Sequence, residues 1–132
     1  MAAAYLCILA AALLPYVWTV VAKAGGKRFD NRDPRAWMAK QDNPRVHRAN
    51  AAQLNAFEAF APFAAAVLMA QMAGVEHDRI TALALAFVGL RVLHGLFYVG
   101  NKALYRSLVW FAALACVIAL MAMAAVAASA PA

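Results

Sequence analysis

A chain of 132 residues that is 67% hydrophobic, with a mean hydropathy of +0.68, has too much apolar surface to hide in a water-soluble core of that size. Its net charge of +6 would point to nucleic acid in a soluble protein, but the charges gather between apolar runs, so membrane topology accounts for them and no nucleic-acid partner is expected. Cys7 and Cys116 both lie inside apolar runs without metal-ligand spacing, which leaves neither a disulfide framework nor a metal site.

Residues 2–22 are uncharged and reach the roughly 20 residues needed to cross a bilayer. No basic region precedes them and no cleavage pattern is clear, so this first span reads as retained. Pro15 should kink it, and Tyr16 and Trp18 sit where interfacial aromatics are expected. Residues 23–47 form a charged loop. Within it Asp33-Pro34 and Asn43-Pro44 each place a capping residue before a proline, the start signal of a helix. The first is expected to open a short surface helix with Trp37 and Met38 dipping into lipid. The second opens a long helix over about 44–73, whose spanning part is 49–73. A tight turn at 74–79 makes the next span, 80–99, its antiparallel neighbour, and a turn at 100–105 leads to the last span, 107–128, whose alanines suit close packing in lipid. The expectation is an all-α membrane protein, one domain over 1–132, built as a bundle of four transmembrane helices.

Basic residues orient it. Lys23, Lys27, Arg28, Arg32, Arg35, Lys40, Arg45 and Arg48 belong to the first loop or its edges, Lys102 and Arg106 to the third, and only Arg79 to the second. The excess of lysine and arginine places loops one and three in the cytoplasm and both termini outside it. The first-loop cations, Arg48 included, also read as contacts for anionic headgroups.

The stretch from Arg48 to Phe63 carries Gln53, Asn55 and Glu58 into an apolar run. Ionisable side chains in a span cost about 2.5–3.5 kcal/mol on insertion scales, so they face a bundle interior or wet cavity. Asn55 and Glu58 share a helix face, as do Arg91, His94 and Tyr98 on the third span. At ~1.5 Å rise per residue, Glu58 and Arg91 lie at the same depth, about 14 Å, and are expected to pair. Asn55 and His94 come level above them, with Tyr98, Lys102 and Arg106 ringing the mouth. The result is a polar cleft between the second and third spans, open to the cytoplasm and suited to a small anion. Arg106 also begins the fourth span, where guanidinium and helix amides together favour a thiolate or carboxylate. Each residue has a purely structural reading as well. Glu58 with Arg91 reads as an ion pair fixing helix register, Asn55 as an interhelical hydrogen bond, and His94 as packing. Tyr98 reads as a belt aromatic, and Lys102 and Arg106 as topology determinants.

With Arg48, Ala52, Asn55, Glu58, Pro62 and Phe63 on one helix and Arg91, His94 and Tyr98 on the next, followed by Arg106, the chain resembles the MAPEG family, the membrane-associated proteins in eicosanoid and glutathione metabolism, which includes microsomal glutathione transferases. The DNRDPRA segment is similar to bacterial members. The resemblance implies a homotrimer with glutathione bound between protomers near the cytoplasmic surface, held by residues among Arg48, Asn55, Glu58, Arg91, His94 and Tyr98, and with its thiol activated by Arg106. It departs from similar glutathione-using members, which carry an arginine four or five residues before the motif asparagine, at Ala51 and Asn50, and from some members that carry a tyrosine after the motif glutamate, at Ala59.

The function expected from these residues is a glutathione-dependent transferase or peroxidase acting on lipophilic electrophiles in a bacterial inner membrane, with the thiolate stabilised by a cytoplasmic-side arginine. The alternative is a non-catalytic protein of the same fold that binds another small anion or a lipid. A small transporter is the third class, weakened by the absence of paired broken helices.

Overall fold

A computed structural model describes residues 1–129. It contains five helices, α1 (Ala2–Gly25), α2 (Pro34–Ala39), α3 (Pro44–Met72), α4 (His77–Val99) and α5 (Ala103–Ser129), and no strand among the described residues. All but α2 are long and apolar enough to cross a membrane. Each of these four exceeds the sequence-read span by a few residues at one or both ends, because helical geometry continues beyond the hydrocarbon into the charged flanks. The last positions of the expected 1–132 domain lie outside the described residues.

The bundle is organised around α3, which packs against α1, α4 and α5. Its start follows the sequence signal: Asn43 Oδ1 accepts from Arg45 N at 3.0 Å. Asp33 does the same for α2, accepting from Ala36 N at 3.1 Å. In each case a side chain meets a helix donor that has no backbone partner. At the other end of α3, Gly74 adopts φ +78°, while Gly74 N donates to Gln71 O and Val75 N to Ala70 O. This is the paired bonding of a Schellman stop, and it turns the chain at once into α4.

Alanine dominates the buried faces. One apolar cluster joins Ala4, Cys7, Ala11, Phe63, Ala66, Ala70, Ala84 and Phe87, and a second, nearer the long loop, joins Trp18, Ala22, Trp37, Val46, Ala49 and Ala52. Small residues let the backbones approach until dispersion contacts are made, the main attraction available between helices in lipid. Phe63 and Phe87 stack face to face with centroids 3.9 Å apart.

Two tryptophan expectations are corrected. Trp37 does not dip into lipid: it is 7% exposed, donates Nε1 to Arg28 O at 3.0 Å, and meets Phe29 edge to face. Nor is Trp18 an interfacial anchor, being 5% exposed and seated on Gly95 of α4, where a Cβ would fall 1.9 Å from its ring. Gln41 closes the long loop, accepting from Lys27 N and donating to Trp37 O. On the loop's outer edge, the Arg32 side chain hydrogen-bonded to Asp30 holds that carboxyl below the usual carboxylate range.

Candidate functional site

The polar residues of α3 and α4 meet between the two apolar clusters, and α5 supplies a third wall. Arg91 donates a terminal N–H to Asn55 Oδ1 at 2.6 Å. A guanidinium only donates, so the amide oxygen must face it. Arg91 and His94 are 4% and 2% exposed, held inward by the same three-residue spacing that aligns them on α4.

The expected Glu58–Arg91 ion pair is not formed. Among the described residues, the ion pairs are Lys27–Asp42, Arg32–Asp30 and Arg79–Glu76, all on the surface. Equal depth was necessary but not sufficient, because the rotation of α3 about its axis turns Asn55 towards α4 and leaves Glu58 exposed on the outer side of the same wall.

Above Arg91 lies a cleft of about 350 Å³ lined by Asn55, His94, Tyr98, Arg106, Ser107, Trp110 and Phe111. His94 meets Tyr98 edge to face, with centroids 5.6 Å apart. The Arg106 guanidinium carbon stands 4.4 Å over the Tyr98 ring. The turn between α4 and α5 sets this placement. Asn101 takes the left-handed conformation at φ 58°, Asn101 N donates to Tyr98 O and Lys102 N to Phe97 O at 2.8 Å, and α5 begins so that its first turn returns over the end of α4.

Asn55, His94, Tyr98 and Arg106 are therefore brought together as the spacing suggested, while Arg48 and Lys102 stand apart from the lining. Arg48 donates Nε to Val99 O at 3.1 Å, satisfying a carbonyl that the end of α4 leaves free. Lys102 is exposed at the turn. Ser107, Trp110 and Phe111 complete the wall and were not anticipated. The signal was present in the three- and four-residue spacing of Trp110 and Phe111 from Ser107 and the four-residue spacing of Trp110 from Arg106, which puts these side chains on one stripe of α5.

Chemically, the cleft offers one guanidinium, a phenol, an imidazole and an amide around a space open at the loop end. It can hold a small anion, and it can stabilise a thiolate beside Arg106. No group of histidine, cysteine or carboxylate side chains among the described residues is placed to hold a metal ion.

Neither a curated protein nor a solved structure matches the chain. The family model described as the MAPEG family matches residues 3–126, which is nearly the whole chain and includes every residue of the cleft, and this integral membrane protein belongs to the MAPEG family.

Proposed function

We propose that the protein is a glutathione-dependent transferase or peroxidase that works on lipophilic electrophiles at the membrane. The observation that carries the reading is the convergence of Arg106, Tyr98, His94 and Asn55 on one cleft. The fixed cation lies where a thiol would need its conjugate base stabilised, and a lowered thiol pKa raises the nucleophilic fraction at neutral pH. Glutathione fits the cleft as co-substrate through its carboxylates and amides. Arg106 would pair with the sulfur, Tyr98 and Asn55 would donate hydrogen bonds, and Glu58 would contact the ligand from the outer wall. The same reading makes the assembly a homotrimer, with the long loop and the α4–α5 turn in the cytoplasm of a bacterial cell and both termini across the inner membrane.

The test is glutathione titration of the purified protein in detergent, with the ultraviolet absorbance of bound thiolate as readout. A saturable thiolate signal that Arg106→Gln abolishes is expected. Absence of binding at millimolar glutathione would overturn the reading. A non-catalytic role for another anion or lipid is the rival, favoured by the engagement of Arg48 with the Val99 carbonyl and by alanine at positions 51 and 59. Binding of glutathione without thiolate formation or conjugation would support it.

A further inference from the structure

At the end of the bundle away from the long loop, the start of α4 and the last turns of α5 border a pocket of about 380 Å³ that shares no lining residue with the polar cleft. Its floor is apolar, with Val75, Ala122, Met123 and Val126, and its rim carries one carboxylate and one guanidinium, Glu76 and Arg79. At about 30 Å³ per water-sized group it has room for about twelve of them, enough for a small headgroup and the first part of a chain. The pocket lies at the membrane boundary. On the same end the exposed Tyr5 hydroxyl donates to Gln71 Oε1 at 2.6 Å, an aromatic body with a polar tip of the kind found at headgroup level.

The rim has unused bonding capacity of both signs. Arg79 donates Nε to Glu76 Oε2 at 3.0 Å, which leaves the terminal nitrogens of the guanidinium fork without a partner among the described residues. Glu76 stands at the start of α4 but makes no capping bond with its side chain, so its second oxygen is open as well. Both side chains are largely exposed, and an exposed ion pair is worth too little to lock the two groups onto each other. Arg79 is the only lysine or arginine in residues 74–79, where it is outnumbered by Glu76 and Asp78. Beside the pair, Val126 is 72% exposed, so the apolar floor is open to lipid.

We propose that this pocket binds phosphatidylethanolamine, with the headgroup laid antiparallel along the Glu76–Arg79 pair and one acyl chain starting over Met123 and Val126. The phosphate accepts from the terminal guanidinium nitrogens, whose planar fork meets two of its oxygens at once. The ammonium donates to Glu76, and the glycerol end of the lipid turns down onto the apolar floor. Charge decides among the common headgroups. Phosphatidylglycerol brings a phosphate and no cation, so beside Glu76 and Asp78 it adds a further negative charge. Phosphatidylcholine is zwitterionic, but its trimethylammonium has no N–H to give to Glu76. Of the three, only phosphatidylethanolamine supplies both an acceptor for Arg79 and a donor for Glu76. A lipid held there bridges the start of α4 and the last turns of α5, and by binding the native bundle it stabilises it by mass action. The site is independent of the glutathione reading.

The test is native mass spectrometry of the full chain in mild detergent, titrated in parallel with the dioleoyl forms of phosphatidylethanolamine, phosphatidylglycerol and phosphatidylcholine. Half-maximal adduct formation is expected at about tenfold lower concentration for phosphatidylethanolamine than for either of the others, the size of one charge-assisted hydrogen bond. Arg79→Gln should weaken phosphatidylethanolamine binding about tenfold, and Glu76→Gln should abolish its advantage over phosphatidylcholine. Both side chains are on the surface, where such substitutions leave the fold intact. Val126→Trp fills the floor without a change of charge and should weaken the adduct too. Equal adducts with the three lipids, a preference for phosphatidylglycerol, or wild-type binding by Arg79→Gln would each overturn the proposal. So would a change of oligomeric mass in Val126→Trp with lipid binding unaltered, because a second copy of the chain would then be what covers the pocket.

Discussion

Arg91 brings a full charge to a position 4% exposed and meets one neutral acceptor there, Asn55, at 2.6 Å. Neutral hydrogen bonds between membrane helices average only about 0.6 kcal/mol, but a bond to a charged donor is worth about 1.5–3 kcal/mol. The charged case applies here. Asn55→Leu should therefore destabilise the fold by about 2–3 kcal/mol as measured by thermal unfolding in detergent, and Asn55→Asp, which keeps an acceptor and adds a counter-charge, should not. Equal stability of Asn55→Leu and wild type would show that the guanidinium finds another partner. Arg106 is the opposite case: it is half-buried at a helix start, and its one marked contact is the Tyr98 face at 4.4 Å, a cation–π interaction of about 0.5–1 kcal/mol at a partly exposed site. Its loss should barely affect folding. Arg106→Gln is expected to keep the unfolding temperature within a few degrees while removing most conjugating activity, on the order of a hundredfold for one lost charge-stabilising donor. A variant that conjugates like wild type would remove Arg106 from the chemistry.

Two element-level devices hold those residues in place. Gly95 gives α1 its seat on α4, with the Trp18 ring lying where a side chain would be. Gly95→Ala should overpack that contact at a cost of about 1–3 kcal/mol and displace the α4 face carrying His94 and Tyr98. Thermal unfolding and thiolate absorbance should both register the change, whereas Gly89→Ala, with open space around its Cβ, should be neutral or slightly stabilising. The α4–α5 turn depends on Asn101 at φ 58°, a conformation costing a β-branched residue about 1–2 kcal/mol, so Asn101→Val should weaken the fold and Asn101→Gly should not. The four spans were legible because a run of about 20 uncharged residues has few alternatives, and both proline-preceded caps because their bonds are local in sequence. The inward packing of Trp18 and Trp37 was not legible. In a chain apolar on every side, hydropathy no longer distinguishes the face that meets protein from the face that meets lipid. The site was legible as a set of faces and depths, which brought Asn55, His94, Tyr98 and Arg106 together correctly. Helix rotation is not encoded in spacing along one helix, so Glu58 was paired with Arg91 in place of Asn55. The α5 wall was missed because Trp110 and Phe111 sit in an apolar run and carry no polar signal.

At the scale of the molecule, the homotrimer reading has each chain contribute only part of a site. Glu58 is exposed on an outer face of α3, flanked by Leu54 and Phe57 at 54% and 42% exposure. A carboxylate at that depth facing lipid would cost about 2.5–3.5 kcal/mol. Burial against another copy removes that cost if the copy brings donors or a shared water-filled space. Such donors border a neighbouring groove of about 560 Å³: Lys23 of α1, Arg35 of α2, and Asn50 and Gln53 of α3, with Leu54 and Phe57 in its wall. A closed ring of copies would set that groove beside the Glu58 face of its neighbour at every interface, with no face left over. The homotrimer reading therefore predicts particles of three times the 14.1 kDa chain mass in native mass spectrometry from mild detergent. Glu58→Leu and Gln53→Leu should each lower glutathione affinity, and protein assembled from a mixture of the two variants should regain binding at those interfaces where two unaltered halves meet. Monomeric particles that still form the thiolate would show that one chain is sufficient, and mixed assemblies that bind no better than either variant alone would place Glu58 and Gln53 in the same half.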